Sequence, residues 1–430
     1  MLLKTNDKKY LVLLGLTMST AWISQSLMDV FIFALFITAI VILIPIFWSR
    51  SKPIRSDQSV PAKTISTQFI FASFGGYFIV AVLGAVFNAD SDYETTGNLS
   101  KFVWMLQFVL FYWTALQIDW TRLMSDRLKT IFQFFAWTSL VPVLYGFNIY
   151  LFEGVDIVTL QKTSYRIIGL LNSATYHGLV GGLIFCFLLP IFLLNIRRLT
   201  WNTIVLSLIC LSLIIASTTL TMTRGVWLSL FISGIVLVYF LNFKKLLLAT
   251  LVIAGVGVAY FQTPIRSMIH TRSNSDSCRI KLIQTHWTIF KSHPLLGIGY
   301  RDNLRSIKEY WPESEVATCR HLRDNGNHAH NQYMNVLATT GILGFLFFIA
   351  FYGYFIILNL QLLKIYRNDK LHYPLCVSLL MMQIFFLVSN MTETSFEYGK
   401  VRTVLLIVWA VVLALFTNRE VRTTTAAQPA

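Results

Sequence analysis

Long apolar segments recur along the chain, and each is close to the roughly 20 residues that cross a membrane as a helix. Since a bilayer cannot satisfy backbone N–H and C=O groups, such segments form helices there. Only 13% of the residues are charged and 55% are hydrophobic, whereas soluble domains carry about 25% charged residues. We predict an all-α integral membrane protein with about twelve transmembrane helices, at residues 10–26, 28–48, 67–89, 102–118, 130–151, 176–196, 201–219, 225–243, 246–262, 332–360, 372–391 and 403–418.

Lysine and arginine are distributed unevenly between the connecting segments. With the N-terminus in the cytoplasm, the cytoplasmic connections are strongly basic, for example at Arg197-Arg198 and Lys244-Lys245, while the outer connections mix both signs. This pattern follows the positive-inside rule and predicts that both termini are cytoplasmic. The formal net charge of +15 then reflects the anionic inner face of the membrane rather than nucleic-acid binding.

The predicted topology divides the chain into four parts. Residues 1–262 carry transmembrane helices 1–9, residues 263–330 form a large outer insert, residues 331–418 carry helices 10–12, and residues 419–430 form a cytoplasmic tail. Within the insert, residues 277–291 are predicted to form an amphipathic helix. Its apolar stripe would contain Ile280, Ile283, Trp287 and Phe290.

The insert contains two of the cysteines and most of the histidines, which could form a disulfide or take part in catalysis. Cys278 and Cys319 both lie in it, and an oxidising periplasm would permit a disulfide, although sequence leaves the pairing open. Six of the eight histidines of the chain also lie there: His270, His286, His293, His321, His328 and His330.

His330 stands where the insert meets the apolar segment 332–360. If that segment is one helix, His330, Gly341 and Gly344 share a stripe, and the glycines would let another helix approach closely. A histidine at this boundary can act as a base near neutral pH, or it can simply cap the helix. His328 is the lesser candidate because on a helix it would point elsewhere.

Two arginines lie at predicted outer membrane boundaries. Arg224 begins a predicted helix, where the backbone already presents positive partial charge, so a cation there favours a site for an anion. The alternative is a cation that reaches toward the membrane surface. Arg166 precedes another predicted helix, either as a phosphate or sugar contact or as an interfacial anchor.

We predict no cofactor and no metal. The sequence contains no Walker motif and no Cys/His metal spacing. Asp90 and Asp92 in an outer loop could hold a divalent ion, but an exposed acidic turn is the simpler interpretation. Because polar groups collect at helix ends rather than at mid-membrane, an enzyme acting on lipid-anchored substrates is favoured over a lipid-linked glycan transporter.

Four sequence elements together resemble the O-antigen ligase family, which shares a domain with O-antigen polymerases and some protein O-oligosaccharyltransferases. The first is His330-Asn331 followed by Gly341 and Gly344, and the second is Thr223-Arg224-Gly225. The third is the helix from Arg279 continuing into residues 293–299, and the fourth is an acidic turn at Glu393, with Glu397 as a rival. The resemblance extends over about residues 160–400.

The resemblance implies a GT-C-like, metal-independent glycosyltransferase of the bacterial inner membrane with its active site facing the periplasm. It would transfer O-antigen from undecaprenyl diphosphate to lipid A-core, the last step of lipopolysaccharide assembly. An O-antigen polymerase, which extends a lipid-linked glycan, is the alternative within the same class. The oligomeric state, the donor glycan and the acceptor sugar stay open.

The resemblance also assigns roles to residues. His330 would be the general base, while Arg224 and Arg279 would stabilise the diphosphate leaving group. The remaining candidates would bind substrate: Arg166, Asn331, His328 and Glu393.

Overall fold

The computed structural model describes residues 7–21, 23, 28–35, 37–38, 63–87, 102–126, 128–151, 166–171, 173–241, 273–299, 303–311, 319 and 329–426. Within these ranges the chain forms helices and no β-strand. The α-helices that can be followed from end to end are α1 (Asp7–Thr20), α2 (Lys63–Phe87), α3 (Phe102–Leu116), α4 (Trp120–Asp126), α5 (Leu128–Leu151), α6 (Ala174–Asn195), α7 (Trp201–Thr219), α8 (Arg224–Phe240), α9 (Ser273–Ser292), α10 (Asn303–Tyr310), α11 (Gln332–Ile365), α12 (His372–Ser389) and α13 (Gly399–Ala426).

Six helices in the described residues are long and apolar enough to cross a membrane, and they lie in α5, α6, α7, α11, α12 and α13. Three further apolar helices, within α2, α3 and α8, are shorter. The prediction of an all-α chain with membrane-spanning helices is therefore confirmed for this part of the chain. The number twelve stays a prediction, since segment 246–262 and much of segment 28–48 lie outside the described residues.

Helices α12 and α13 are buried along most of their length and form the centre of the bundle. α12 packs on α6 and α8, α13 packs on α3, and α11 packs along α2. Aromatic rings fill the contacts between them. Trp409 of α13 stacks on Phe355 of α11 with ring centroids 5.3 Å apart, and Phe351 stacks on Phe74 of α2 at 4.4 Å.

α11 is broken at Gly341, where φ is +61° and ψ is −167°. The turn segment 294–299, which follows α9, crosses the break and provides hydrogen-bond partners for the interrupted backbone. Ile298 and Gly299 donate to the carbonyls of Ala338 and Thr339 at 3.1 and 2.8 Å. On the other side of the break, the amides of Ile342 and Leu343 donate to the carbonyls of Pro294 and Leu295 at 2.8 and 3.3 Å.

The prediction of one continuous helical stripe through His330, Gly341 and Gly344 is therefore wrong. The element that approaches at Gly341 is the turn at residues 294–296 and not a helix. Glycine is required at the crossing because Gly297 and Gly341 both have positive φ, and a Cβ on either would collide with the opposing backbone. Gly344 faces the side chain of Thr340, one turn earlier on α11.

The insert has a small core of its own. Cys278 and Cys319 form a disulfide with their Cα atoms 5.5 Å apart, and Leu282, Ile307 and Trp311 pack around it. The predicted helix over 277–291 is confirmed as part of α9, and its apolar stripe is not the side that packs inward. Ile280 and Trp287 are 56% and 45% exposed, because the disulfide directs the opposite side of α9 inward: Cys278, Leu282, Thr285, His286 and Ile289.

Candidate active site

The candidate site is built on the connection between α12 and α13, residues 390–398, which we call the acidic loop. It carries Glu393, whose side chain is 2% exposed. The first turn of α11 holds this loop. Gln332 donates its backbone N–H to the carbonyl of Asn390 at 2.9 Å, and its side-chain oxygen accepts from the N–H of Phe396 at 3.2 Å.

The carboxylate of Glu393 joins two residues that the sequence had singled out. His330 Nδ1 lies 3.0 Å from Oε2, and an Arg279 guanidinium nitrogen donates to Oε1 at 3.1 Å. An ionised carboxylate can only accept hydrogen bonds, so a neutral His330 carries its proton on Nδ1. The lone pair of the imidazole is then on Nε2, which is the arrangement that a general base needs.

His330 is placed outside α11 and not at its cap. The cap is Asn331, whose side-chain oxygen accepts from the N–H of Met334 at 3.1 Å while its amide nitrogen donates to the carbonyl of Met391 at 3.0 Å. The alternative in which His330 caps the helix is therefore wrong. His330 itself has a φ of +48°, an uncommon backbone conformation for a residue other than glycine.

The start of α8 lies against the acidic loop. A Cβ on Gly225 would collide with the side chain of Thr392, so glycine here permits the close approach. Arg224, the first residue of α8, is exposed and is next to this contact. Arg166 supports the preceding turn, because it donates to the carbonyl of Thr221 at 2.7 Å and to the hydroxyl of Thr223 at 2.6 Å.

Four helices begin at the acidic loop. α8 and α11 begin at the contacts already described, α13 begins directly after the loop, and Tyr176 in the first turn of α6 packs on Tyr398 with ring centroids 4.0 Å apart. The N-terminus of a helix carries partial positive charge and exposed N–H groups. The four N-termini therefore bring partial positive charge to the acidic loop, where it can stabilise the Glu393 carboxylate or a bound anion.

Sequence reasoning missed two residues of the site. Gln332 and Tyr398 belong to it, and neither stands out from its neighbours in the sequence. Burial, together with the negative charge of Glu393, raises the pKa of the Tyr398 hydroxyl. Tyr398 therefore stays neutral beside the carboxylate at physiological pH.

Not every predicted residue can be placed. His328, Asp90 and Asp92 lie outside the described residues. Within the described ranges, no group of three or more His, Cys, Asp or Glu side chains is arranged to hold a metal ion. Of the two acidic candidates, the structure brings Glu393 to His330 and Arg279, while Glu397 lies further along the acidic loop.

Comparison with protein families identifies the central part of the chain. Residues 209–349 match the family described as O-antigen ligase. Those residues form an O-antigen ligase domain. Arg224, Arg279 and His330 lie within this O-antigen ligase domain, while Arg166 and Glu393 lie outside the matched range. The match supports a glycosyltransferase-like function of the O-antigen ligase or polymerase type for this part of the chain, and the long apolar helices indicate a membrane protein. No curated protein matches the chain.

Proposed function

We propose that the chain is an O-antigen ligase that transfers O-antigen polysaccharide from undecaprenyl diphosphate to a sugar hydroxyl of lipid A-core. The observation that carries this proposal is the Glu393 carboxylate, which contacts His330 through one oxygen and Arg279 through the other. The Glu393 carboxylate thereby connects a candidate base, His330, with a cation, Arg279, that can bind a phosphate. The family match supports the reaction class.

His330 would act on the acceptor. As the hydroxyl oxygen of lipid A-core attacks the anomeric carbon of the donor glycan, Nε2 of His330 takes the hydroxyl proton. The imidazole becomes a cation at that moment, and the Glu393 carboxylate at Nδ1 stabilises the positive charge. Glu393, predicted as a substrate-binding residue, is therefore proposed to orient and support the base.

Arg224 and Arg279 would act on the donor. The bond between the anomeric carbon and the diphosphate oxygen breaks, and its electron pair stays on undecaprenyl diphosphate. A guanidinium has five N–H groups, so the bond from Arg279 to Glu393 leaves others for phosphate oxygens. Arg224 would contact the same diphosphate at the start of α8, supported by the helix N-termini that converge there. Arg166 would contribute by holding the turn before Arg224.

Two features support a periplasmic active site in the inner membrane. The disulfide between Cys278 and Cys319 requires an oxidising compartment, which the periplasm provides and the cytoplasm does not. The excess of lysine and arginine in the opposite connections supports cytoplasmic termini. The undecaprenyl diphosphate donor and the lipid A-core acceptor both present their head groups to the periplasm in this arrangement.

We expect transfer to proceed without a metal ion, because the arginines and helix N-termini can supply the positive charge that a cation would bring to the diphosphate. In purified protein, EDTA should leave the transfer rate unchanged. Activity lost in EDTA and restored by magnesium would contradict this expectation and would make Asp90 and Asp92 candidate ligands.

The function is tested by lipopolysaccharide banding in a strain that lacks the gene. A ligase predicts that lipid A-core carries no O-antigen while the lipid-linked polymer accumulates, and that the wild-type gene restores the pattern. Lipid A-core carrying a single repeat unit would indicate a polymerase instead. Unchanged banding would contradict both activities.

A further inference from the structure

Arg402 is a buried cation in the first turn of α13, only 9% exposed. Its guanidinium lies over the indole of Trp104 on α3, with the central carbon 3.6 Å from the ring centroid. Such a contact favours a cation because the ring face carries negative charge. The carboxylates of Glu397 and Asp29 interact electrostatically with Arg402, as does the Tyr77 hydroxyl.

The guanidinium of Arg402 is hydrogen-bonded to the backbone of the acidic loop. Its Nη1 donates to the carbonyl of Phe396 at 3.2 Å and to that of Glu397 at 3.3 Å. The Phe396 ring is buried against Trp104, with centroids 5.4 Å apart, and it also packs on Phe348 and Phe386. Arg402 and Trp104 therefore fix the second half of the loop from the side of α3 and α13.

The first half of the same loop carries Glu393. Only two residues separate Glu393 from Phe396, and Gln332 holds Phe396 from the side of α11. A shift of the Phe396 and Glu397 carbonyls would thus move the carboxylate of Glu393 relative to His330 and Arg279. A buried arginine costs free energy in an apolar bundle, and an apolar side chain would suffice if filling space were the whole role.

We propose that Arg402 is a positioning residue for transfer, which acts by holding the acidic loop so that Glu393 meets His330 and Arg279. This inference rests on the proposed function, because it assigns Arg402 its effect through Glu393. Arg402 does not touch the substrates. Trp104 supports Arg402 in this role, since its indole ring holds the guanidinium in place.

The test is a double-mutant cycle that combines substitutions of Arg402 or Trp104 with a substitution of Glu393. The single-turnover transfer rate is measured in nanodiscs with lipid-linked glycan donor and lipid A-core acceptor. Arg402→Lys keeps the charge but loses the planar stack on Trp104, and Trp104→Phe weakens that stack without touching the arginine. Each is made alone and together with Glu393→Gln. Arg198→Lys, at the opposite end of the bundle, is the matched control and should leave transfer unchanged.

We expect Arg402→Lys to lower the single-turnover rate by about 10- to 100-fold, the cost of displacing a catalytic group by roughly 1 Å. In the Glu393→Gln background the same substitution should have almost no further effect, since coupled residues are not additive. Trp104→Phe should show the same dependence with a smaller loss, and it carries the test if Arg402→Lys fails to fold.

Equal losses in both backgrounds would overturn the inference, because a purely structural role lowers the rate whether or not Glu393 is present. That result would leave the proposed function intact. A Glu393→Gln protein with wild-type turnover would instead contradict the role of Glu393 in the proposed mechanism. The two failures are therefore distinguishable.

Discussion

Replacing His330 with asparagine is expected to lower the rate of glycan transfer by about 10²- to 10⁴-fold, the usual contribution of a general base. Binding of the lipid-diphosphate donor should be largely unchanged, because the base acts on the acceptor proton. Asparagine is a suitable replacement because it tolerates the φ of +48° at this position and cannot accept a proton at neutral pH. The measurement is single-turnover transfer together with donor affinity in the same preparation.

His293→Asn provides the matched control for His330→Asn. His293 lies in the same insert, and its Nε2 is 3.4 Å from the Tyr310 hydroxyl. The His293→Asn protein should transfer glycan at the wild-type rate. A near-wild-type rate for His330→Asn would remove the base from the mechanism and leave His330 with a structural role.

Replacing Arg224 or Arg279 with alanine should weaken donor binding and turnover together, since the diphosphate is charged before and during the reaction. The loss in turnover should be about 10²- to 10³-fold, as for removal of one preorganised group that stabilises a developing negative charge. Arg279→Ala should have the larger effect because it also removes a partner from the buried Glu393 carboxylate. Donor affinity and single-turnover rate should be measured for each variant.

Lysine at either position should restore only part of the activity, because it keeps the charge and loses the planar arrangement of donors that matches phosphate. Arg197→Ala is the control, since Arg197 is exposed at the opposite end of α6. Loss of turnover with unchanged donor affinity in both arginine variants would contradict their assignment to the diphosphate.

The long apolar helices that the structure describes could be predicted from segment length, because each such segment must satisfy its own backbone in a membrane. The convergence of the site could not be predicted in the same way. His330, Arg279 and Glu393 lie on three separate elements, and no periodicity within one segment relates them. Their grouping was predicted from family resemblance, and the contacts at 3.0 and 3.1 Å became visible only in the structure.

Two features that the sequence did not predict have a common physical cause. The break at Gly341 and the buried side of α9 are both decided by a distant segment: by residues 294–299 in one case and by the disulfide to Cys319 in the other. A glycine inside an apolar segment is compatible with a continuous helix until a second backbone arrives to bond the exposed groups. Arg402 escaped notice because an arginine near a helix end is usually an interfacial cation.

The crossing of segment 294–299 over the break in α11 has a consequence for biogenesis. Its four backbone hydrogen bonds join two parts of the chain that leave the ribosome at different times, since the insert is synthesised before α11. Inside an apolar environment the interrupted amides and carbonyls need these partners. The break can therefore form only once segment 294–299 reaches α11, and until then we expect the same groups to bond within an uninterrupted helix, with the site not yet assembled.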